Sequence, residues 1–292
     1  MSDSNAYTVP RPARDFFAEP AGALIKTTLV DFPGRVASSL FLKGCNLRCP
    51  YCYNGELVTP PTEKNRGSAV SAGSTADTNH LATLRDVLAH LEKRRNVLTG
   101  FVISGGEPLL FPHLAELITE AKKLGYKIKL DTNGTLPDRL AAIMQNPATE
   151  PDFIAMDIKT APERYDLLAP HTTRPESNAI TSADNAIAPA TDAPAANATD
   201  LARKLAASAR LIATLPADAR EWRTVLVPPL VTRKDISAMA ALLPADASWQ
   251  FAPFRNENCL DARYNAVAPY TDAQATELVS YAQTLIAGAR LR

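Results

Sequence analysis

Gly44-Cys45-Asn46-Leu47-Arg48-Cys49-Pro50-Tyr51-Cys52-Tyr53-Asn54 packs three cysteines into eight residues with the spacing Cys-x3-Cys-x2-Cys. Thiolates converging from one short loop suit three irons of a four-iron cluster and leave the fourth iron without a protein ligand. An open metal position is a place where chemistry can be done. Zinc in a structural site asks for four protein ligands, and the only other cysteine, Cys259, lies far downstream with no second ligand spacing around it. A disulfide framework fits poorly, since three close cysteines leave an odd thiol and the first residues carry no secretory-signal pattern. On spacing and count alone, the triplet favours an iron–sulfur site over zinc or unpaired structural thiols.

A second feature lies at Ser104-Gly105-Gly106-Glu107-Pro108. The apolar run before it, bounded by Gly100, reads as a buried strand, and the glycine pair would let backbone approach a ligand closely. On that reading a side chain added at Gly105 or Gly106 weakens ligand binding and spares the cluster.

Five motifs in order carry a resemblance that no single one would. Leu29-Val30-Asp31-Phe32-Pro33-Gly34 precedes Phe41-Leu42-Lys43-Gly44-Cys45-Asn46, the Gly-Gly-Glu-Pro turn follows, and then come Leu130-Asp131-Thr132-Asn133-Gly134-Thr135 and Ile154-Ala155-Met156-Asp157-Ile158-Lys159. In this the chain resembles the radical S-adenosylmethionine (SAM) enzymes, and most closely the activating proteins of anaerobic ribonucleoside-triphosphate reductase. Members of that family often carry His after the third cysteine, where this chain has Tyr53.

Strand-like runs at 36–43, 101–104, 126–131, 153–158, 222–227 and 249–254 alternate with helix-like runs, among them 114–124 closed by Gly125, 201–213 and 272–286. Alternation of this kind predicts parallel strands with crossover helices. The resemblance makes the α/β fold a partial (β/α)6 barrel of the radical SAM type with flexible insertions. Ligands in such architectures sit at the carboxyl ends of the strands. The cysteine loop, the Gly-Gly-Glu-Pro turn and the Asp-Thr-Asn-Gly turn, each ending a strand, therefore share one rim. Any one of them alone would read as ordinary turn punctuation.

The chain of 292 residues, 46% of them hydrophobic, is long enough for one full core, and its 31 basic and 31 acidic residues give no field for nucleic acid or an anionic membrane. Reduced thiols and the lack of a long apolar run make a cytoplasmic location the expectation. Residues 1–20 read as a disordered arm, and 21–292 as a single domain. Segments 59–79 and 169–199, rich in small and polar residues and proline, read as low-complexity insertions.

The resemblance implies a site. Cys45, Cys49 and Cys52 would ligate a [4Fe-4S] cluster, and SAM would chelate the open iron. One electron from an external donor such as a flavodoxin or ferredoxin would then release methionine and a 5'-deoxyadenosyl radical. Tyr51 would pack against the adenine or simply cover the cluster, with Cys52 and Tyr53 beside it. Gly105, Gly106 and Glu107 would meet the methionyl amino group, and Asp131, Thr132 and Asn133 the ribose. Asp157 and Lys159 would either bind the cofactor or pair with each other. Arg223 and Thr224 are weaker candidates, and Cys259 reads as a structural thiol. The implied function is generation of a glycyl radical on a partner enzyme, anaerobic ribonucleoside-triphosphate reductase. The alternatives are a small-molecule radical enzyme such as a 7-carboxy-7-deazaguanine synthase, or a non-catalytic iron–sulfur electron-transfer protein.

Overall fold

A computed structural model describes residues 16–18, 20–58, 81–170 and 196–292. Its centre is a nine-stranded open sheet of order β3-β1-β2-β4-β5-β6-β7-β8-β9. The strands are β1 (Pro20–Thr28), β2 (Ala37–Leu42), β3 (Ala82–Thr83), β4 (Gly100–Gly105), β5 (Lys127–Thr132), β6 (Phe153–Asp157), β7 (Arg220–Leu226), β8 (Trp249–Pro253) and β9 (Ala289–Leu291). From β2 onward through β4 to β9 every pairing is parallel, whereas β1 runs antiparallel to both β2 and β3 on one edge. All six expected strands are present, at β2, β4, β5, β6, β7 and β8. Strands β1, β3 and β9 extend the sheet beyond them. The antiparallel β1 was not legible because Pro20-Ala21-Gly22-Ala23 has little β-propensity.

Helices α2 (Leu84–Arg94), α3 (Leu114–Lys123), α4 (Pro137–Met144), α5 (Ala196–Ala213), α6 (Arg233–Ala240) and α7 (Asp272–Leu285) connect the strands, preceded by a single turn, α1 (Gly55–Val58). Thr83, Thr232 and Thr271 close capping boxes at the starts of α2, α6 and α7, and so fix where each connection re-enters a helix. The segment expected at 59–79 lies outside the described residues, as do 1–15 of the N-terminal arm. Phe16–Ala18 forms a short 3-10 turn. Of the insertion expected at 169–199, residues 171–195 lie outside the described residues, and α5 begins at Ala196, earlier than the expected 201. Among the described residues no helix is long and apolar enough to cross a membrane.

Alternation along the strands gives the sheet two different faces. Leu40, Leu42, Phe101, Ile103, Ile128, Leu130, Ile154, Met156, Trp222 and Trp249 belong to one large buried cluster with residues of the helices. The opposite face carries a small apolar plug of Phe32, Ala37, Val102, Phe153 and Ala155. Register partners share a face, and the pairs Val102 with Lys129, Asp131 with Ala155, Ala155 with Glu221, and Asp157 with Arg223 put charged side chains on the plug's side. Lys129 is 1% exposed there, 2.5 Å from Asp131, 3.8 Å from Glu221 and over the Phe153 ring at 5.8 Å. A lysine this deep is tolerable only when paired.

Candidate active site

The strands β2, β4, β5, β6 and β8 end at Leu42, Gly105, Thr132, Asp157 and Pro253, and the segments that follow them meet on one rim. The cysteine loop leaves β2 through Gly44, whose φ of +90° only glycine adopts readily. Arg48 staples the loop's first half, donating from Nη1 to the carbonyls of Cys45 and Leu47 at 2.8 Å each, while its own N–H reaches Leu168 O at 2.6 Å. Cys49 is buried, and Cys45 and Cys52 are half-buried. Burial pushes all three thiols up, that of Cys49 to about 12, against the opposing charge of Lys159.

The glycine pair also has a task within the fold that the sequence did not suggest. A Cβ on Gly106 would stand 1.9 Å from Gly44 O, and one on Gly105 2.3 Å from the Leu42 N. The close approach is thus to the backbone that launches the cysteine loop. Hydrogen bonds from Gly106 N to Leu42 O (2.9 Å) and from Glu107 N to Gly44 O (2.8 Å) seal it.

Glu107 is fully buried, and its carboxylate accepts from Leu109 N at 3.1 Å, Thr132 Oγ1 at 2.9 Å and Asn133 N at 2.7 Å. It therefore joins the β4 turn to the β5 turn. Burial raises its carboxyl to about 7, against the hydrogen bonds that favour the ion. Asn133 in turn donates from Nδ2 to Asn46 Oδ1 at 3.0 Å, and lies 3.9 Å from Cys45 Sγ. Asn46 Nδ2 donates to Thr135 Oγ1 at 2.7 Å. The three turns expected on one rim are one hydrogen-bonded unit.

Asp131 and Asp157 are bridged by Arg223, which donates from Nη1 to the first at 3.1 Å and from Nε to the second at 2.8 Å. Lys159 Nζ lies 3.5 Å from Asp157, so the two residues do pair, and the Lys159 N–H donates to Tyr165 Oη at 2.9 Å. Burial alone would raise Asp157, but Arg223 and Lys159 outweigh it and hold its carboxyl at about 2. Thr224 donates to Ile158 O and accepts from the Trp249 indole, a role within the core.

Tyr51 is 4% exposed, edge-on to Phe254 at 6.5 Å, and its buried hydroxyl has no hydrogen-bond partner among the described residues. Tyr53 packs under the Arg255 guanidinium at 5.2 Å and accepts the Arg255 N–H at 2.8 Å. Cys259 is buried in the same 254–261 segment, its sulfur near the carbonyls of Arg255 and Glu257. Sequence reasoning gave Asn46, Arg48, Tyr165 and the pair Phe254–Arg255 no role. The one available signal was position, since Phe254 and Arg255 directly follow β8 on the rim.

The Radical SAM superfamily model matches residues 39–187, from within β2 past the cysteine loop, the two turns and the end of β6. The chain belongs to the radical SAM superfamily. Its cofactors are a [4Fe-4S] cluster and SAM. Three relatives are similar over part of their length. The "Putative glycyl-radical enzyme activating enzyme MJ1227" of Methanocaldococcus jannaschii is 29% identical over 143 residues, 49% of this chain and 51% of that protein. The 7-carboxy-7-deazaguanine synthase of Methanopyrus kandleri is 29% identical over 137 residues, 44% and 51%. The pyruvate formate-lyase-activating enzyme of Staphylococcus aureus is 34% identical over 134 residues, 44% and 49%. The chain spans about half the length of these curated relatives.

The rim fits the superfamily's cofactors on its own chemistry. Three thiols come from one loop, and beside them a buried Tyr51 hydroxyl stands unpartnered near the Lys159 cation. Among the described residues no three Cys, His, Asp or Glu side chains converge on one point as a single ion requires. A four-iron cluster does not ask for that, since each thiolate takes a different iron.

Proposed function

We propose that this chain activates a glycyl-radical enzyme, with Cys45, Cys49 and Cys52 holding the cluster and anaerobic ribonucleoside-triphosphate reductase as the partner. The observation that carries this reading is the docking of the three-cysteine loop on the other two motif turns, through Leu42 O, Gly44 O and the Asn46–Asn133 pair. With one electron from a flavodoxin or ferredoxin, the bound cofactors supply a radical able to take a hydrogen atom.

The chain's own residues bind and orient. Lys159 is a cation whose charge opposes the effect of burial at all three thiols, 45, 49 and 52, and would receive the methionyl carboxylate. Gly105 and Gly106 set the height of the cysteine loop over β4. Glu107 spends its acceptors on Leu109, Thr132 and Asn133, so it shapes the amino-group site through the turns it joins. Asn133 faces the cysteine loop, while Asp131 is held by Arg223 and Lys129 and shapes the ribose side from below. Tyr51 covers the cluster loop with a hydroxyl that has no partner among the described residues.

The substrate reading rests on where space is left. Below the rim the inner face is filled by the paired charges of Lys129, Asp131, Arg223 and Asp157, so a substrate meets the site from above. A flexible backbone segment of another protein suits such a rim, provided its glycine Cα is released by local unfolding. The similarity to an activating enzyme and to a deazaguanine synthase at the same identity keeps one competing reading in view.

The test is incubation of the reconstituted, reduced protein with SAM and the reductase. The expected result is a glycyl-radical signal in electron paramagnetic resonance. Turnover of a free pterin with no radical on the reductase would move the assignment to the synthase.

A further inference from the structure

The segment after β8 crosses to the second half of the cysteine loop and grips it at four consecutive residues. Asp261 N donates to Pro50 O at 2.9 Å, and Leu260 N to Cys52 O at 3.1 Å. Phe254 stands edge-on to Tyr51 at 6.5 Å, and Arg255 N donates to Tyr53 Oη at 2.8 Å with its guanidinium over the same ring. The segment is prepared for this by its own fastenings. Asn265 accepts the Cys259 N–H at Oδ1 (3.0 Å) and Asn256 Nδ2 at its carbonyl (3.2 Å), while the Cys259 side chain fills the inside of the turn. Asn258 takes a φ of +54°, a left-handed conformation that Asn tolerates better than most residues, and the turn there leads directly into the two N–H groups that meet Cys52 and Pro50.

In this arrangement Tyr53 is the only side chain of the cysteine loop that hydrogen-bonds to the segment among the contacts described, and it does so at Arg255, at the opposite end of the segment from Leu260 and Asp261. The backbone contacts at Cys52 and Pro50 are otherwise exposed to fraying, because residues 257 and 258 are exposed. A phenol reaches the Arg255 N–H; an imidazole at the same position is shorter and has no oxygen at its tip.

We propose that Tyr53 is a positioning residue, a latch whose hydroxyl and ring hold segment 254–261 closed over Cys52 and so limit the access of water and chelators to the cluster. The proposal rests on the reading of Cys52 as a cluster ligand. Water favours the more highly charged reduced form of an anionic cluster, so a loosened cover raises the reduction potential.

The test compares wild type, Tyr53→Phe and Tyr53→His as full-length chains. In the cluster-free protein, amide hydrogen exchange at Leu260 and Asp261 should quicken roughly tenfold in both variants, the size expected for loss of one net hydrogen bond. After reconstitution, the visible absorption of both variants should decay several-fold faster in a chelator than that of wild type, with a reduction potential shifted positive. Unchanged exchange at 260 and 261 would overturn the latch itself. Faster exchange with wild-type decay and potential would overturn its role toward the cluster. Failure of wild type to take up iron would strike the cluster reading alone, and the exchange result would still decide the latch.

Discussion

The Glu107 carboxylate accepts the Asn133 N–H at 2.7 Å, across a gap of 26 residues and between the turns that end two adjacent strands of the sheet. Through it the turn after β4 and the turn after β5 hold one shape. Asn133 carries that shape on to Asn46 in the cysteine loop. A carboxylate at this place is a device of organisation before it is anything else.

Glu107 therefore has a legible pH signature. Its folded carboxyl, raised by burial to about 7 from an ordinary 4.5, keeps its proton longer than in the unfolded chain. In that window the native state binds more protons, so stability falls as pH rises from about 4.5 toward 7. Glu107→Gln should flatten this part of a stability-against-pH curve measured by denaturant unfolding. It should also cost about 1–3 kcal/mol at pH 5 by leaving one of the three buried donors without its partner. A slope equal to that of wild type would remove Glu107 as its source.

Asp157 works in the opposite sense. Held at about 2 by Arg223 and Lys159 against the effect of burial, it contributes stability that is present above the ordinary 3.8 and lost as pH falls toward 2. Thermal melts between pH 5 and 2 should decline less steeply in Asp157→Asn. At neutral pH, Arg223→Leu should destabilise by on the order of 3 kcal/mol, because Asp131 and Asp157 then face each other without their shared cation.

Gly106→Ala tests the close approach of the turn to the cysteine loop. A Cβ at 1.9 Å from Gly44 O cannot be housed without moving the residue before Cys45. The expected outcome is a loss of about 1–3 kcal/mol in unfolding free energy, together with reduced iron uptake on reconstitution. Wild-type iron content in a folded Gly106→Ala protein would mean that the cysteine loop does not depend on this contact.

Much of the frame could be read from local pattern. Short apolar runs ending in Gly, Asp or Cys turns gave the six central strands and the shared rim, because strand periodicity and turn chemistry are written in neighbouring residues. The antiparallel β1 was invisible, since Pro20-Ala21-Gly22 gains its strand by pairing with β3 and β2. The inner charge ladder was also out of reach. Arg223 and Asp131 stand 92 residues apart, and only the register of β5, β6 and β7 brings them to one face. The close packing at the glycine pair was out of reach for a related reason: the sequence reveals that something must come close, and the fold brings the backbone of Leu42 and Gly44 there. The Tyr53 latch depends on a partner 202 residues away.

Iron content after anaerobic reconstitution, measured for wild type and for the four single cysteine variants, tests most directly whether the loop at 45–52 is a radical SAM cluster site. Wild type and Cys259→Ala should each hold about four irons per chain with the visible absorption of a four-iron cluster, and Cys45→Ala, Cys49→Ala and Cys52→Ala should lose it. Tight zinc without iron in wild type, or a loss in Cys259→Ala equal to that of the other three, would contradict the assignment.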